Sequence, residues 1–268
     1  MSNEHLVRPG SKVKLREADA EDTGRYRHKD EAEGDLEQTR SELIRLQELL
    51  FAEDKHGLLI ILQAMDTGGK VGAIRHVMFG VNPQGCAVTS FKTPTQEELD
   101  HDYLWRVHKA TPAKGMIGIF NRSYYEDVLI VRVHGLVPEK VWRQRYDQIN
   151  VYERFLSENG TKILKFYLHI SKDEQKRRLQ ERLDEPDKRW KFALTDLDER
   201  RRWDEYMRAY EDVLNRTSTE WAPWYLVPAN AKWYRNLVVA RAAVKGLRDL
   251  DMRYPEPKFD PTQVVIPD

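Results

Sequence analysis

The stretch Leu58-Leu-Ile-Ile-Leu-Gln-Ala-Met-Asp-Thr-Gly-Gly-Lys-Val-Gly72 constrains the chain more than any other. Leu58 to Leu62 is an apolar run too short for an ordinary helix and reads as a buried strand. A turn carrying Gly68 and Gly69 follows, then Lys70, then a helical run from Val71 to Phe79. Strand, glycine turn, lysine and helix together build a phosphate cradle. Backbone N–H groups point into the turn, the helix N-terminus adds partial positive charge, and the lysine reaches a phosphate oxygen. The pattern departs from a standard P-loop: Ala64 stands where the first glycine belongs, and Val71 replaces the hydroxyl that normally ligates Mg²⁺. Asp66 is the candidate to supply that oxygen. The competing reading is a Gly-Gly turn with a surface lysine.

Further along, hydrophobic runs alternate with helical patterns. Strands are expected at Cys86–Phe91, Gly115–Phe120, Lys162–Ile170 and Tyr225–Val227. Helices are expected over Asp35–Glu53, after Thr95 (carrying Leu99, Tyr103, Leu104 and Val107), from Pro138 to Gly160, after Ser171, around Trp203–Val213, and over Trp233–Leu247. Ser171 and Glu174 have the spacing of a capping box. The first helix could pack on the sheet or meet another subunit, and its leucines are core in both cases. Residues 1–34 read as a partly ordered arm and 255–268 as an extended tail. The expected architecture is α/β: a five-stranded parallel sheet covered on both faces. Ligands bind such sheets at the carboxyl ends of the strands. Asp66–Lys70, Asn121–Asp127 and Asn230 all fall there.

At the end of the third strand a P-loop enzyme usually carries a metal-binding carboxylate. Here it is the neutral Asn121, with Glu126 and Asp127 a turn further on to take over, and with Arg122 to neutralise charge on a phosphoryl group. The alternative is that Asn121 caps a helix and the acids face solvent. A basic segment follows strand four, with Arg178 and Arg182 on one helical face and Pro186 at a turn. Such runs are usually solvated faces, yet this is where kinases of this architecture carry a lid that brings arginines over the phosphate and excludes water. Trp190 reads as a packing residue.

Lys+Arg and Asp+Glu balance at 44 each, so no net field favours nucleic acid or an anionic membrane. Cys86 has no intrachain partner, and the eight histidines show no ligand spacing. No apolar run approaches the length of a membrane helix, and the N-terminus, Met1 to Gly10, is polar and lacks the apolar core of a signal peptide. A cytoplasmic, soluble protein is expected.

Ala64–Lys70, Phe120–Asp127, Ile170–Gln175, Lys188-Arg-Trp-Lys191 and Ala222-Pro-Trp-Tyr225 occur in the order and context of polyphosphate kinase family 2, which the chain resembles from about Leu46 to Leu250. The Asn121 and Glu126-Asp127 combination is similar to that family's third class, whose members phosphorylate nucleoside mono- and diphosphates from polyphosphate. The resemblance implies a P-loop kinase core with a lid over about residues 171–202, similar to thymidylate kinase and assembled as a homodimer or homotetramer. It implies catalytic roles for Asp66, Lys70, Arg122, Arg178 and Arg182. Substrate contacts are expected from Thr67, Gly68, Gly69, Lys70, Gly72, Arg75, Lys92, Asn121, Ser123 and Glu126, and metal contacts from Asp66 and Asp127. Relatives often carry Asp-Gly where this chain has Val71-Gly72, which leaves its metal shell less acidic. The expected reaction is reversible transfer of the terminal phosphoryl of inorganic polyphosphate to ADP or AMP, with Mg²⁺ or Mn²⁺; guanine nucleotides are further candidate acceptors. The alternatives are an ATP-dependent nucleoside or nucleotide kinase and a non-catalytic polyphosphate-binding regulator.

Overall fold

A computed structural model describes residues 4–267. The strands are β1 (Leu6–Val7), β2 (Gly57–Gln63), β3 (Cys86–Ser90), β4 (Ile117–Asn121), β5 (Thr161–His169) and β6 (Trp224–Pro228). The α-helices are α1 (Lys29–Glu53), α2 (Lys70–Val77), α3 (Gln96–Leu99), α4 (Trp105–Ala110), α5 (Ile130–Val133), α6 (Glu139–Glu158), α7 (Lys172–Asp184), α8 (Thr195–Arg201), α9 (Trp203–Thr217) and α10 (Lys232–Arg248).

The sheet order is β1-β6-β5-β2-β4-β3. All pairings are parallel except β1 with β6. The expected count of five is therefore corrected to six among the described residues. The extra strand is two residues of the N-terminal segment pairing antiparallel along the edge, Leu6 with Tyr225 and Val7 with Trp224. A pair that short has no periodicity to read.

β2 lies between β5 and β4, and each of its seven residues is buried. That is why it reads as a continuous apolar run rather than an alternation. Both faces of the sheet are covered, as β5 shows. Leu164 meets Gly246 of α10, whereas Lys165 meets Glu153 of α6 and Tyr167 stacks on Tyr210 of α9. Neighbouring residues of a strand face opposite ways, so α10 lies on one side and α6 with α9 on the other. α1 and α2 pack against α10.

Several local expectations change. The helix after Thr95 is split: Thr95 caps α3 with Glu98 closing a capping box, and α4 starts only at Trp105. At α7 the Ser171 hydroxyl accepts from the Glu174 N–H, but the Glu174 carboxylate turns away to Arg177 and Arg178, so no capping box forms. Trp190 is 78% exposed rather than packed. Cys86 is half-buried at the start of β3. No helix among the described residues is long and apolar enough to cross a membrane.

Candidate active site

The parallel register sets the site. Leu62 at the end of β2 is level with Asn121 of β4 and Phe166 of β5, so the loops leaving these strands emerge side by side. The Arg122 N–H donates to the Leu62 carbonyl at 3.1 Å, carrying the pairing one residue beyond β4.

The first loop turns sharply after Gln63. The Gly68 N–H donates to the Met65 carbonyl at 3.0 Å, and a Cβ at Gly68 would come within 2.5 Å of the Ala64 side chain. Gly69 caps α2 with φ +94°, a conformation that side chains resist. Thr67 and Arg122 also have positive φ, at 62° and 64°. Two non-glycine residues held in the left-handed region on neighbouring strand-end loops mark a place where surrounding structure overrides local preference.

Lys70 folds back over the loop, and its Nζ donates to the Ala64 carbonyl at 2.9 Å. Desolvation, reinforced by Arg122, pulls its pKa down to about 8. The other charges that act on it are Asp66, Glu126 and Arg182, so one cleft gathers residues from two strand-end loops and from α7. Arg122 Nη2 donates to Asp66 Oδ1 at 3.2 Å. Burial works against the Arg122 charge, but Glu126 and Asp66 raise its pKa on balance. Burial pushes the Glu126 carboxyl up, against the pull of Arg122 and Lys70. The Gln63 carboxamide, oriented to satisfy its neighbours, donates to Glu126 Oε1 at 3.0 Å and accepts from the Ser123 N–H and hydroxyl.

The remaining expected residues divide. Asn121 Nδ2 donates to the Ser90 hydroxyl at 3.4 Å, across the ends of β4 and β3. Ser123 is buried and its hydroxyl accepts from the Tyr125 N–H. Asp127 stands apart from Asp66: its carboxylate accepts from Arg145 at 3.1 Å, and burial lifts its pKa to about 6 despite Arg145 and Arg106. Gly72 lies in the first turn of α2. Arg75 and Lys92 are exposed.

The two expected arginines of the basic segment do different things. Arg178 is buried and spends its donors on protein: Glu174 at 2.6 Å, the Thr67 carbonyl at 2.9 Å, Ala229 at 2.6 Å and Asn230 at 3.1 Å. It staples the phosphate loop to the loop after β6. Arg182 is more exposed, donating to the Lys191 carbonyl at 2.9 Å and to Asp196 at 3.2 Å.

Sequence reasoning passed over Gln63, Gln175, Arg235 and Tyr210. Gln175 donates to the Asp66 carbonyl at 3.2 Å and accepts from Arg200 at 2.9 Å. Tyr210 lies where the Glu126 and Asp66 charges reach it. The one available signal was Gln63, a polar residue closing an apolar strand.

The donor set suits a hard divalent cation. Asp66 and Glu126 are carboxylates in one cleft, and the buried Thr67 hydroxyl oxygen has no protein partner. Among the described residues no group of three or more His, Cys, Asp or Glu side chains forms a preassembled metal cage. A cation held by a few acids and completed by water and phosphate oxygens fits such an arrangement.

Residues 26–255 match the sequence profile of the family described as Polyphosphate kinase 2 (PPK2). The chain is 53% identical, over 98% of both chains, to the AMP/ADP-polyphosphate phosphotransferase of Meiothermus ruber. It is 51% identical to the ADP-polyphosphate phosphotransferase of Rhodopseudomonas palustris over 79% of this chain and 77% of that one. The crystal structure of Polyphosphate Kinase 2 from Arthrobacter aurescens superposes with a TM-score of 0.92 at 48% identity, covering 96% of this chain and 92% of that one.

Proposed function

This chain belongs to the polyphosphate kinase 2 family, and from that premise we propose that it transfers the terminal phosphoryl group of inorganic polyphosphate to ADP and AMP. It is a phosphotransferase. An oxygen of the acceptor's terminal phosphate attacks the end phosphorus of the polyphosphate. One P–O bond forms as the bridging P–O bond breaks, and the donor leaves one phosphate shorter. The acceptor becomes ATP from ADP, or ADP from AMP. Anhydride is exchanged for anhydride, so the reaction runs both ways.

The observation that carries this reading is the position of Lys70. Its ammonium spans the phosphate loop to Ala64 and stands amid Arg122, Asp66, Glu126 and Arg182. Phosphoryl transfer asks mainly for alignment and for cations around the moving group. Lys70 and the loop N–H groups bind the donor's end. Arg122, released from Asp66, meets charge building on the transferring phosphoryl. The helical hairpin of α7 and α8 acts as a lid, with Arg182 swinging from Asp196 towards the donor while Arg178 keeps the loop in shape. Asn121, Ser123 and Glu126 border the acceptor, and Arg75 and Lys92 extend the cationic track along which a polymer without base or sugar can lie.

Asp66 and Glu126 would hold Mg²⁺, or Mn²⁺ in its place, and the bound ion supplies charge neutralisation on the phosphate oxygens. Asp127 supports the acceptor loop through Arg145.

A panel of donors and acceptors with Mg²⁺ tests the reading. Polyphosphate is expected to convert ADP to ATP and AMP to ADP. Turnover with ATP as sole phosphoryl donor to a nucleoside or nucleoside monophosphate, and none with polyphosphate, would overturn it.

A further inference from the structure

The basis for an inference beyond this reading is Arg235, though it relies on the placement of the anionic donor at the phosphate loop. Arg235 lies near the N-terminus of α10 and is 2% exposed. Among the described residues no carboxylate pairs with it. Its Nε and Nη2 donate to the Asn236 side-chain oxygen at 3.1 and 2.8 Å. The charge that bears on it is a like one, the buried guanidinium of Arg178.

The position of this cation is specific. A Cβ on Gly69 would fall 2.0 Å from Arg235 Nη1 and 3.6 Å from Arg178 Nη1. A Cβ on Gly72 would fall 3.3 Å from Arg235 Nη2. Gly69 and Gly72, one helical turn apart, are bare on the side that Arg235 occupies. Two guanidinium groups therefore lie against the glycine turn that leads from β2 into α2.

A buried cation is costly unless an acid neutralises it. Folds normally supply one, as this fold does for Lys165 with Glu153 and for Arg178 with Glu174. For Arg235 it supplies a second cation instead. An anion held at the glycine turn that Arg235 lines would supply the missing negative charge. We propose that Arg235 is a positioning residue: a deliberately unneutralised cation seated against Gly69 and Gly72 that strengthens the loop's grip on the polyphosphate donor and destabilises the empty protein.

The experiment compares wild type with Arg235→Met and Arg235→Lys as full chains. Thermal unfolding is followed with and without inorganic tripolyphosphate, and KM and kcat are measured for polyphosphate and for ADP. The ligand-free Arg235→Met protein should melt higher than wild type, and its shift with tripolyphosphate should fall by at least half. Its KM for polyphosphate should rise about tenfold, with a smaller change in kcat and in the KM for ADP, and Arg235→Lys should recover most of the donor affinity. An Arg235→Met protein that melts lower and keeps the wild-type tripolyphosphate shift would overturn the proposal, since that is what a packing role alone predicts. Should that variant not fold, Gly72→Ala, which crowds the guanidinium without removing it, is expected to raise the polyphosphate KM; an unchanged value overturns the proposal equally. Wild-type protein that binds tripolyphosphate but transfers no phosphoryl group defeats the functional reading and leaves the thermal comparison to decide on Arg235.

Discussion

Lys165 Nζ lies 2.6 Å from Glu153 Oε2 with neither side chain exposed. The same ammonium donates to the Tyr125 hydroxyl and the Thr217 carbonyl, and Glu153 Oε1 accepts from the hydroxyls of Tyr124 and Tyr125. This network ties β5, α6 and α9 to the turn that carries Glu126 and Asp127. Burial pulls the Lys165 pKa down to about 8, with Glu153 holding it up. Removing one member of such a pair leaves the other charge buried and alone.

Lys165→Met is therefore expected to lower unfolding free energy by about 3–5 kcal/mol, read from urea denaturation at 25 °C. Adding Glu153→Gln should restore part of the loss, because the neutral amide still accepts from both tyrosines while the stranded carboxylate is gone. A double variant no more stable than the single would contradict this account.

The pH dependence of donor binding follows from Lys70. Its pKa in the empty site is about 8 rather than that of a free lysine, because burial and Arg122 disfavour the ammonium. In the proposed function the ammonium binds the donor's phosphate, so the KM for polyphosphate should rise as pH increases through 8 and upwards. In wild type the charged form also costs folding stability below that pH, since the unfolded lysine holds its proton more tightly. Lys70→Ala should reduce transfer by at least about 100-fold while the protein stays folded. Near-normal turnover would remove Lys70 from the site.

Arg178 and Arg182 should separate cleanly. Arg178→Met strips donors from the carbonyls of Thr67, Ala229 and Asn230 and leaves Glu174 with Arg177 alone. A stability loss of about 2–4 kcal/mol is expected from buried acceptors left unpaired, with a raised donor KM. Arg182→Ala breaks a partly exposed pair with Asp196 and should change stability by less than about 1 kcal/mol yet reduce kcat. Denaturation curves and steady-state kinetics on the two variants decide the matter.

Metal dependence should map onto Asp66 and Glu126. Chelation is expected to abolish transfer and added Mg²⁺ to restore it. Asp66→Asn and Glu126→Gln should raise the Mg²⁺ concentration for half-maximal rate by about 10–100-fold. Asp127→Asn should leave that concentration within a factor of a few and act on stability instead, because its carboxylate belongs to Arg145. A Mg²⁺ titration of all three variants tests the assignment.

Much of the candidate site was legible in the sequence. Leu58–Leu62, the paired glycines and Lys70 are consecutive, and their backbone preferences are local. The alternation of apolar runs and helical stripes marked the parallel sheet, and with it the strand ends where Asp66, Asn121 and Arg122 gather. What stayed hidden depends on partners far away in the chain. Leu6–Val7 becomes a strand only because Trp224 and Tyr225 offer it an edge. Glu98 and Glu174 have the same capping-box spacing, but Arg177 and Arg178 capture the second. Trp190 has the character of a core residue, yet it stands largely in solvent with the Lys191 ammonium over its ring.

The division has one physical cause. Backbone conformation and the sidedness of a strand or helix follow from residues within a few positions of each other, so the amino-acid order determined the strand, glycine turn and helix around Lys70, the sheet type and the identity of most charged groups in the candidate cleft. Electrostatic roles follow from separation in space and from the surrounding dielectric, which depend on every element packed nearby. Only the tertiary structure decided that Asp127 serves Arg145, that Arg178 staples a loop, and that Arg235, 165 residues beyond Lys70 in the chain, lies against the glycine turn with no carboxylate paired to it among the described residues.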